Sequence, residues 1–316
     1  MNKRNTILRY KPLLAVCTAV LLVCSCAEWT EPEPVTFEAQ RPAEQNPELW
    51  GRYLEVLKSY KQRPHFLVYG KFANGAEQPA SGAQLLRALP DSLDIVSLLH
   101  ADRMTAAEQA DLQLLHGKST RVLYCVDYAA KAAELSDAAK LGACLDKALA
   151  EAASLGLDGF SFTGIPSYGS EAEINARREA AKLIVERLSA VAGAGKDKLL
   201  VFEGNPAFLT DADLSKLNYL VLDTDKTGNV TDLKLQVGLA LTREGLAPEK
   251  LLLCASPEGE IVNEENVKVK ALEALVDRVA SLGPLGGLAV SDLGKAYYDP
   301  EKRYSRVRNV IRLMNP

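Results

Sequence analysis

Short apolar runs alternate with longer amphipathic ones from residue 65 to the C-terminus, and this alternation decides the fold class. The runs His65–Tyr69, Ile95–Leu99, Val122–Val126, Gly159–Thr163, Leu199–Phe202, Tyr219–Asp223, Leu251–Ala255 and Leu288–Val290 have the length and apolar continuity of strands buried on both faces. Between them, Ser136 to Ser154 is Ala/Leu-rich with Asp and Lys on the other face. Glu171 to Val191 opens on Ser170 and Glu173, a capping box. Pro47–Tyr60 reads as a leading helix and Tyr304–Met314 as a closing one. Strands alternating with helices predict an α/β chain with a parallel sheet and crossover connections. Eight such repeats favour a closed (β/α)8 TIM barrel over a doubly wound sheet. The connections after the second and fifth strands carry little helix signal, so an irregular barrel is expected.

The first 46 residues follow a different pattern. Met1–Lys11 carries Lys3, Arg4, Arg9 and Lys11, and Leu13–Cys24 is apolar apart from Thr18, the order of a secretory signal. That apolar run is shorter than the roughly 20 residues a bilayer span requires. It ends Leu22-Val23-Cys24-Ser25-Cys26, which is similar to a bacterial lipobox, with a small residue before Cys26 and an aliphatic one before that. Two outcomes follow: a signal peptide over 1–25 with lipidation of Cys26, or an ordinary signal cut nearby that leaves Cys26 a free thiol. Several acyl chains, each buried CH₂ contributing roughly 0.8 kcal/mol, would make the lipid anchor stable. Residues 26–46 are acidic and Pro-containing, too polar to bury a core, and read as a tether. The barrel is assigned to 47–316, near the roughly 250 residues typical of that fold.

Composition narrows the function classes. Lys+Arg 37 against Asp+Glu 41 gives a formal charge of −4, and no basic run interleaves with aromatics, so nucleic acid is not the expected partner. Of six cysteines, Cys17, Cys24 and Cys26 belong to the leader. Cys125 and Cys254 sit in the apolar runs Leu-Tyr-Cys-Val and Leu-Leu-Cys-Ala, which favours buried thiols over a disulfide or a metal site. His65, His100 and His116 are scattered without ligand spacing, and neither metal nor cofactor is expected.

Residues 157–165 read Leu-Asp-Gly-Phe-Ser-Phe-Thr-Gly-Ile. The segment resembles the fourth barrel strand of family 18 glycoside hydrolases, whose pattern is Asp-Gly-x-Asp-x-Asp-x-Glu. The last three acids of that pattern are spaced by two, so one strand face carries all of them into the barrel mouth. Here Asp158 and Gly159 are kept, while Ser161, Thr163 and Ile165 stand where the acids belong. The resemblance extends to both ends of the mature chain. It includes Tyr53–Lys61 before the first strand, and Gly286-Gly287-Leu288 through Tyr297-Tyr298 to Met314-Asn315-Pro316. Those ends look like family 18 domains of lipoproteins from glycan-utilisation systems.

What the resemblance implies is specific. Family 18 enzymes cleave β-linked N-acetylglucosamine with the substrate's acetamide oxygen as nucleophile, while the Glu protonates the leaving oxygen. General acid catalysis contributes about 10²–10⁴-fold. With Ile165 at the acid position and Thr163 in place of the Asp that steadies the acetamide, hydrolysis is expected to be negligible. The hydroxyls of Ser161 and Thr163 either hydrogen-bond a sugar or simply fill the barrel. Further candidates at the C-terminal mouth are Glu203, Asp223, Asp225, Asp127 and Asp292, and among aromatics Tyr69, Phe72, Tyr128, Tyr168, Phe208, Tyr297 and Tyr298. Phe162 alternates away from Ser161 and Thr163 and is expected to pack against helices. The family commonly places a Trp at the end of strand eight, where this chain reads Ala289-Val290-Ser291-Asp292.

Three readings follow. The first is a non-catalytic surface lipoprotein that captures N-acetylglucosamine-containing glycans, N-glycans or chitin-like, for neighbouring outer-membrane uptake proteins. The second is a divergent endo-β-N-acetylglucosaminidase using other carboxylates, and the third a protein-interaction scaffold. The acidic stretch behind Cys26 also resembles the export signal that places lipoproteins on the outer face of the outer membrane; otherwise it is a solvated linker.

Overall fold

The structure is a computed structural model that describes residues 42–299 and 301–316. The leader, Cys26 and most of the tether lie outside the described residues. Helix α1, Pro47–Gln62, runs into the barrel unit, Arg52–Pro316.

Eight parallel strands close into a barrel: β1 Leu67–Phe72, β2 Ile95–Leu98, β3 Arg121–Val126, β4 Gly159–Thr163, β5 Leu199–Glu203, β6 Tyr219–Asp223, β7 Leu251–Ala255 and β8 Gly287–Val290. Each pairs with its sequence neighbours, and β8 pairs with β1 to complete the ring. The outer helices are α2 Ala106–Gly117, α3 Ala138–Ser154, α4 Glu171–Ser189, α5 Asp211–Lys216, α6 Val230–Leu241, α7 Ala271–Ser281 and α8 Ser305–Met314.

The period of two along each strand sorts the side chains into two cores. Outward residues such as Val68, Phe160, Phe202 and Leu253 pack under the helices in one large cluster. Tyr69, Ile95, Leu123, Val201, Val221, Leu252, Cys254 and Ala289 point inward and form the second. Phe162 belongs to the outer layer, its ring 5.1 Å from that of Phe202.

Two corrections concern the connections. The expected lack of a helix after β2 does not hold. Thr105 caps α2 in a reciprocal box with Glu108, and the Glu108 carboxylate also accepts the Gly75 amide at 2.8 Å. The Thr105-Ala106-Ala107-Glu108 spacing is the signal that marks this helix in the sequence. Irregularity falls instead after β1, where only the 3-10 turns Gly82–Gln84 and Leu86–Ala88 lead to β2. After β5 the connection is indeed slight, a 3-10 turn followed by the short α5. A two-stranded antiparallel hairpin, Glu260–Val262 with Lys268–Lys270, is inserted between β7 and α7. Its strands are three residues long and charged, so no apolar run announces them.

Candidate functional site

The two ends of segment 158–165 lie at opposite ends of β4. Asp158 precedes the strand at the N-terminal end of the barrel. Its carboxylate accepts the Val122 amide at 2.8 Å and meets Arg121 at 3.1 Å and His116 at 3.0 Å. Burial works to raise this carboxyl, but the His116 and Val122 hydrogen bonds, with the neighbouring positive charges, outweigh it and hold the group below its usual range. Gly159 has φ +149°, and a Cβ there would stand 2.0 Å from the Leu199 carbonyl oxygen. Both residues therefore serve the closure of the barrel floor, which requires them whether or not there is chemistry above.

At the C-terminal end the inward side chains turn polar. Ser161 is fully buried and its Oγ lies 2.8 Å from Ser97 Oγ across the barrel. Thr163 donates to Asp127 Oδ1 at 2.7 Å and accepts the Ala129 amide at 2.9 Å. Ile165, just beyond the strand, is half-buried. None of the three can give up a proton to a glycosidic oxygen.

One carboxylate stands inside the barrel, on the strand next to β4. Glu203 pairs with Thr163 in register and its side chain is 1% exposed. Tyr69 Oη donates to its Oε1 at 2.5 Å, and Lys71 Nζ lies 2.8 Å from Oε2. Burial acts to raise this carboxyl, but the Lys71 ammonium outweighs it, helped by hydrogen bonds from Lys71, Tyr69 and Ser161, and the group stays below the usual carboxylate range. The Glu203 charge in turn raises Lys71 against the effect of burial. Glu203 is thus an anion locked to a cation, with no proton to donate at neutral pH. No single motif announces this pair; Lys71 in an apolar strand, two residues after Tyr69, was the available signal.

The other sequence candidates take varied places. Tyr69 is fully buried beneath the mouth, beside the buried Glu203. Tyr128 and Phe208 are also buried: their rings stack at 5.8 Å, and Phe208 stacks on Phe202 at the same distance. Phe72 points outward into the helix layer. These are corrections to the expectation of mouth-facing aromatics: strand or turn phase aims Phe72, Tyr128 and Phe208 at the outer apolar layer, while Tyr69 points inward but lies below the opening. Asp127 and Asp292 cap the single turns Tyr128–Lys131 and Leu293–Ala296, accepting the amides of Ala130 and Lys295 at 3.3 and 3.0 Å. Tyr297 is half-buried edge-on against Tyr304, ring centroids 5.5 Å apart. Asp223, Asp225, Tyr168 and Tyr298 are exposed on the rim. Burial raises the Asp225 carboxyl; a Ser291 hydrogen bond opposes the rise and the Asp223 charge adds to it.

Cys125 and Cys254 are buried free thiols, pushed up by burial above the usual thiol range. Among the described residues no group of three His, Cys, Asp or Glu side chains is placed to hold a metal ion. His65 and His116 instead pair with Asp94 and Asp158.

Residues 30–142 match the sequence profile of glycoside hydrolase family 18, BT1044-like. A search of curated protein sequences returns no match. Among solved structures, the fold is similar to a selenomethionine BT1044 variant with a Glu-to-Gln exchange. The two share 17% identity at a TM-score of 0.65, over 87% of this chain and 96% of that one. It is also similar to the endo-beta-N-acetylglucosaminidase of Cordyceps militaris, with 18% identity and a TM-score of 0.64 over 84% and 96% of the two chains. A third is the chitinase-like agglutinin of Robinia pseudoacacia, at 11% identity, TM-score 0.55 and 78% and 99% coverage. At these identities the structural likeness speaks for the barrel and its architecture.

Proposed function

We propose, from the premise that this chain is a family 18-like barrel of the BT1044-like kind, that it is a non-catalytic glycan-binding protein for N-acetylglucosamine-containing glycans. The observation that carries the reading is the state of the mouth. Ser161, Thr163 and Ile165 occupy the positions from which family acids would act, and the interior carboxylate, Glu203, is held as an anion by Lys71 at 2.8 Å. A barrel with this interior shares its architecture with sugar-processing proteins and offers no proton donor at those positions.

Localisation and partners complete the proposal. Lipidation at Cys26 would anchor the barrel by the 26–46 tether at the outer face of the outer membrane. There it would hand glycans to neighbouring uptake proteins. The sequence of the leader and the acidic stretch behind it support this placement.

The test is retention of a mixed N-glycan and chitooligosaccharide pool on the immobilised protein, with mass spectrometry of bound and released species. Intact glycans on the column support the proposal. Cleaved glycans would replace it with a second reading, a divergent endo-β-N-acetylglucosaminidase. The observation favouring that reading is Asp225, a rim carboxyl raised by burial beside Asp223, and Asp225→Asn would then abolish the cleavage. Neither retention nor cleavage would refute both.

A further inference from the structure

The centre of the mouth is filled by groups that already pair with one another. Lys71 holds Glu203, Ser97 holds Ser161, and Thr163 holds Asp127, at 2.8, 2.8 and 2.7 Å. A sugar ring pushed between them would break these contacts and strand a buried charge, which costs more than a sugar hydroxyl returns. Exposed aromatic surface stands on the rim instead. Tyr168, in the loop after β4, is 62% exposed, and Tyr298, beyond the turn after β8, is 66% exposed.

The two tyrosines belong to opposite walls, since β4 and β8 are four strands apart in either direction around the ring. Strands about 4.8 Å apart and tilted about 36° close an eight-membered ring about 15 Å across, wider than one sugar ring. Both tyrosines are held in place. Arg177, largely buried, donates to the Pro166 carbonyl at 2.9 Å and to that of Tyr168 itself, which fixes the loop. Tyr298 Oη shares a hydrogen bond with Ser81 Oγ at 2.5 Å, and its ring meets Tyr297 edge-on at 5.2 Å. A ring already fixed, as that of Tyr298 is, loses little freedom when a sugar stacks on it, and a fixed loop backbone spares part of the same cost at Tyr168. A quarter of the way round the ring from each wall, at and just past the end of β6, the exposed Asp223 and Asp225 offer acceptors for sugar hydroxyls.

We infer that the ligand is an oligosaccharide laid across the mouth from Tyr168 to Tyr298, flanked on the β6 side by Asp223 and Asp225, with no sugar buried in the barrel. The inference rests on the glycan-binding reading above and adds the chain-length requirement and the two contact residues.

Calorimetric titration of the protein with N-acetylglucosamine, chitobiose, chitotetraose and a high-mannose N-glycan tests it. At least one of the two longer probes should bind, and the monosaccharide at least ~10-fold more weakly. Tyr168→Ala and Tyr298→Ala should each weaken binding of that longer probe by about 10-fold, while Tyr168→Phe, which keeps the ring, should retain it. Binding of the monosaccharide as tightly as the longer probes, or binding that survives both alanine substitutions, overturns the inference and leaves the glycan-binding reading standing. Binding of none of the four probes overturns both.

Discussion

Replacing Lys71 by methionine removes the cation that holds Glu203 ionised inside the barrel. The ammonium lies 2.8 Å from the carboxylate, and the two side chains are 23% and 1% exposed. At an effective dielectric of about 20 a contact at that distance is worth about 6 kcal/mol of Coulomb attraction. Removing Lys71 also recovers its desolvation cost, so the expected loss at neutral pH is about 3–5 kcal/mol, the range for breaking a buried pair. The pH dependence follows from the direction of the shifts. In the native protein Glu203 lies below its ordinary value of 4.5, so its contribution is present above 4.5 and is lost as pH falls through the lower folded value. In Lys71→Met burial acts with no counter-charge, and the carboxyl rises above 4.5 instead. The destabilisation is therefore largest at neutral pH and shrinks as Glu203 takes up its proton on acidification. Urea unfolding followed by circular dichroism at pH 7.5 and pH 4.5 measures both. The double variant Lys71→Met with Glu203→Gln, which leaves no charge behind, should recover most of the loss at pH 7.5. A cost below about 1 kcal/mol at pH 7.5, or one that is the same at both pH values, would refute the claim that the pair is buried and locked.

Further expectations are separable from that one. Asp158→Asn should lower stability by about 1–3 kcal/mol, because it disrupts the acceptor of the Val122 amide and of Arg121, yet leave glycan affinity unchanged; unfolding and titration of the same sample check both. Gly159→Ala should depress the melting temperature sharply, since its Cβ would stand 2.0 Å from the Leu199 carbonyl at a φ of +149°; a thermal scan decides. Introducing acids by Thr163→Asp with Ile165→Glu should give no hydrolysis of chitooligosaccharides by chromatography. The new carboxylate at 163 would face Asp127, now 2.7 Å from the threonine hydroxyl, and its register neighbour Glu203. Turnover above background would show the remainder of the site to be competent.

The barrel was legible in the chain because strands buried on both faces must be short apolar runs, and eight such runs separated by helical patterns leave few alternative folds. Gly159–Thr163, Tyr219–Asp223 and Leu251–Ala255 fall where that pattern places them. That Ser161 and Thr163 share the inward face of their strand was legible for a related reason: a period of two assigns each residue to a face without coordinates. Other features depended on partners far away in sequence. That Asp158 braces the floor required knowing that Val122, Arg121 and His116 come to it from β3 and α2. That Tyr69, Tyr128 and Phe208 are buried, while Tyr168 and Tyr298 are exposed, depends on which layer each ring meets, and local sequence does not encode that. The same holds for the Lys71–Glu203 pair, whose members are separated along the chain by several barrel strands. Local periodicity determined the strands and the faces their residues take. Closure of the ring decided which charges meet, because an ion pair is a matter of distance in space and the chain records only order.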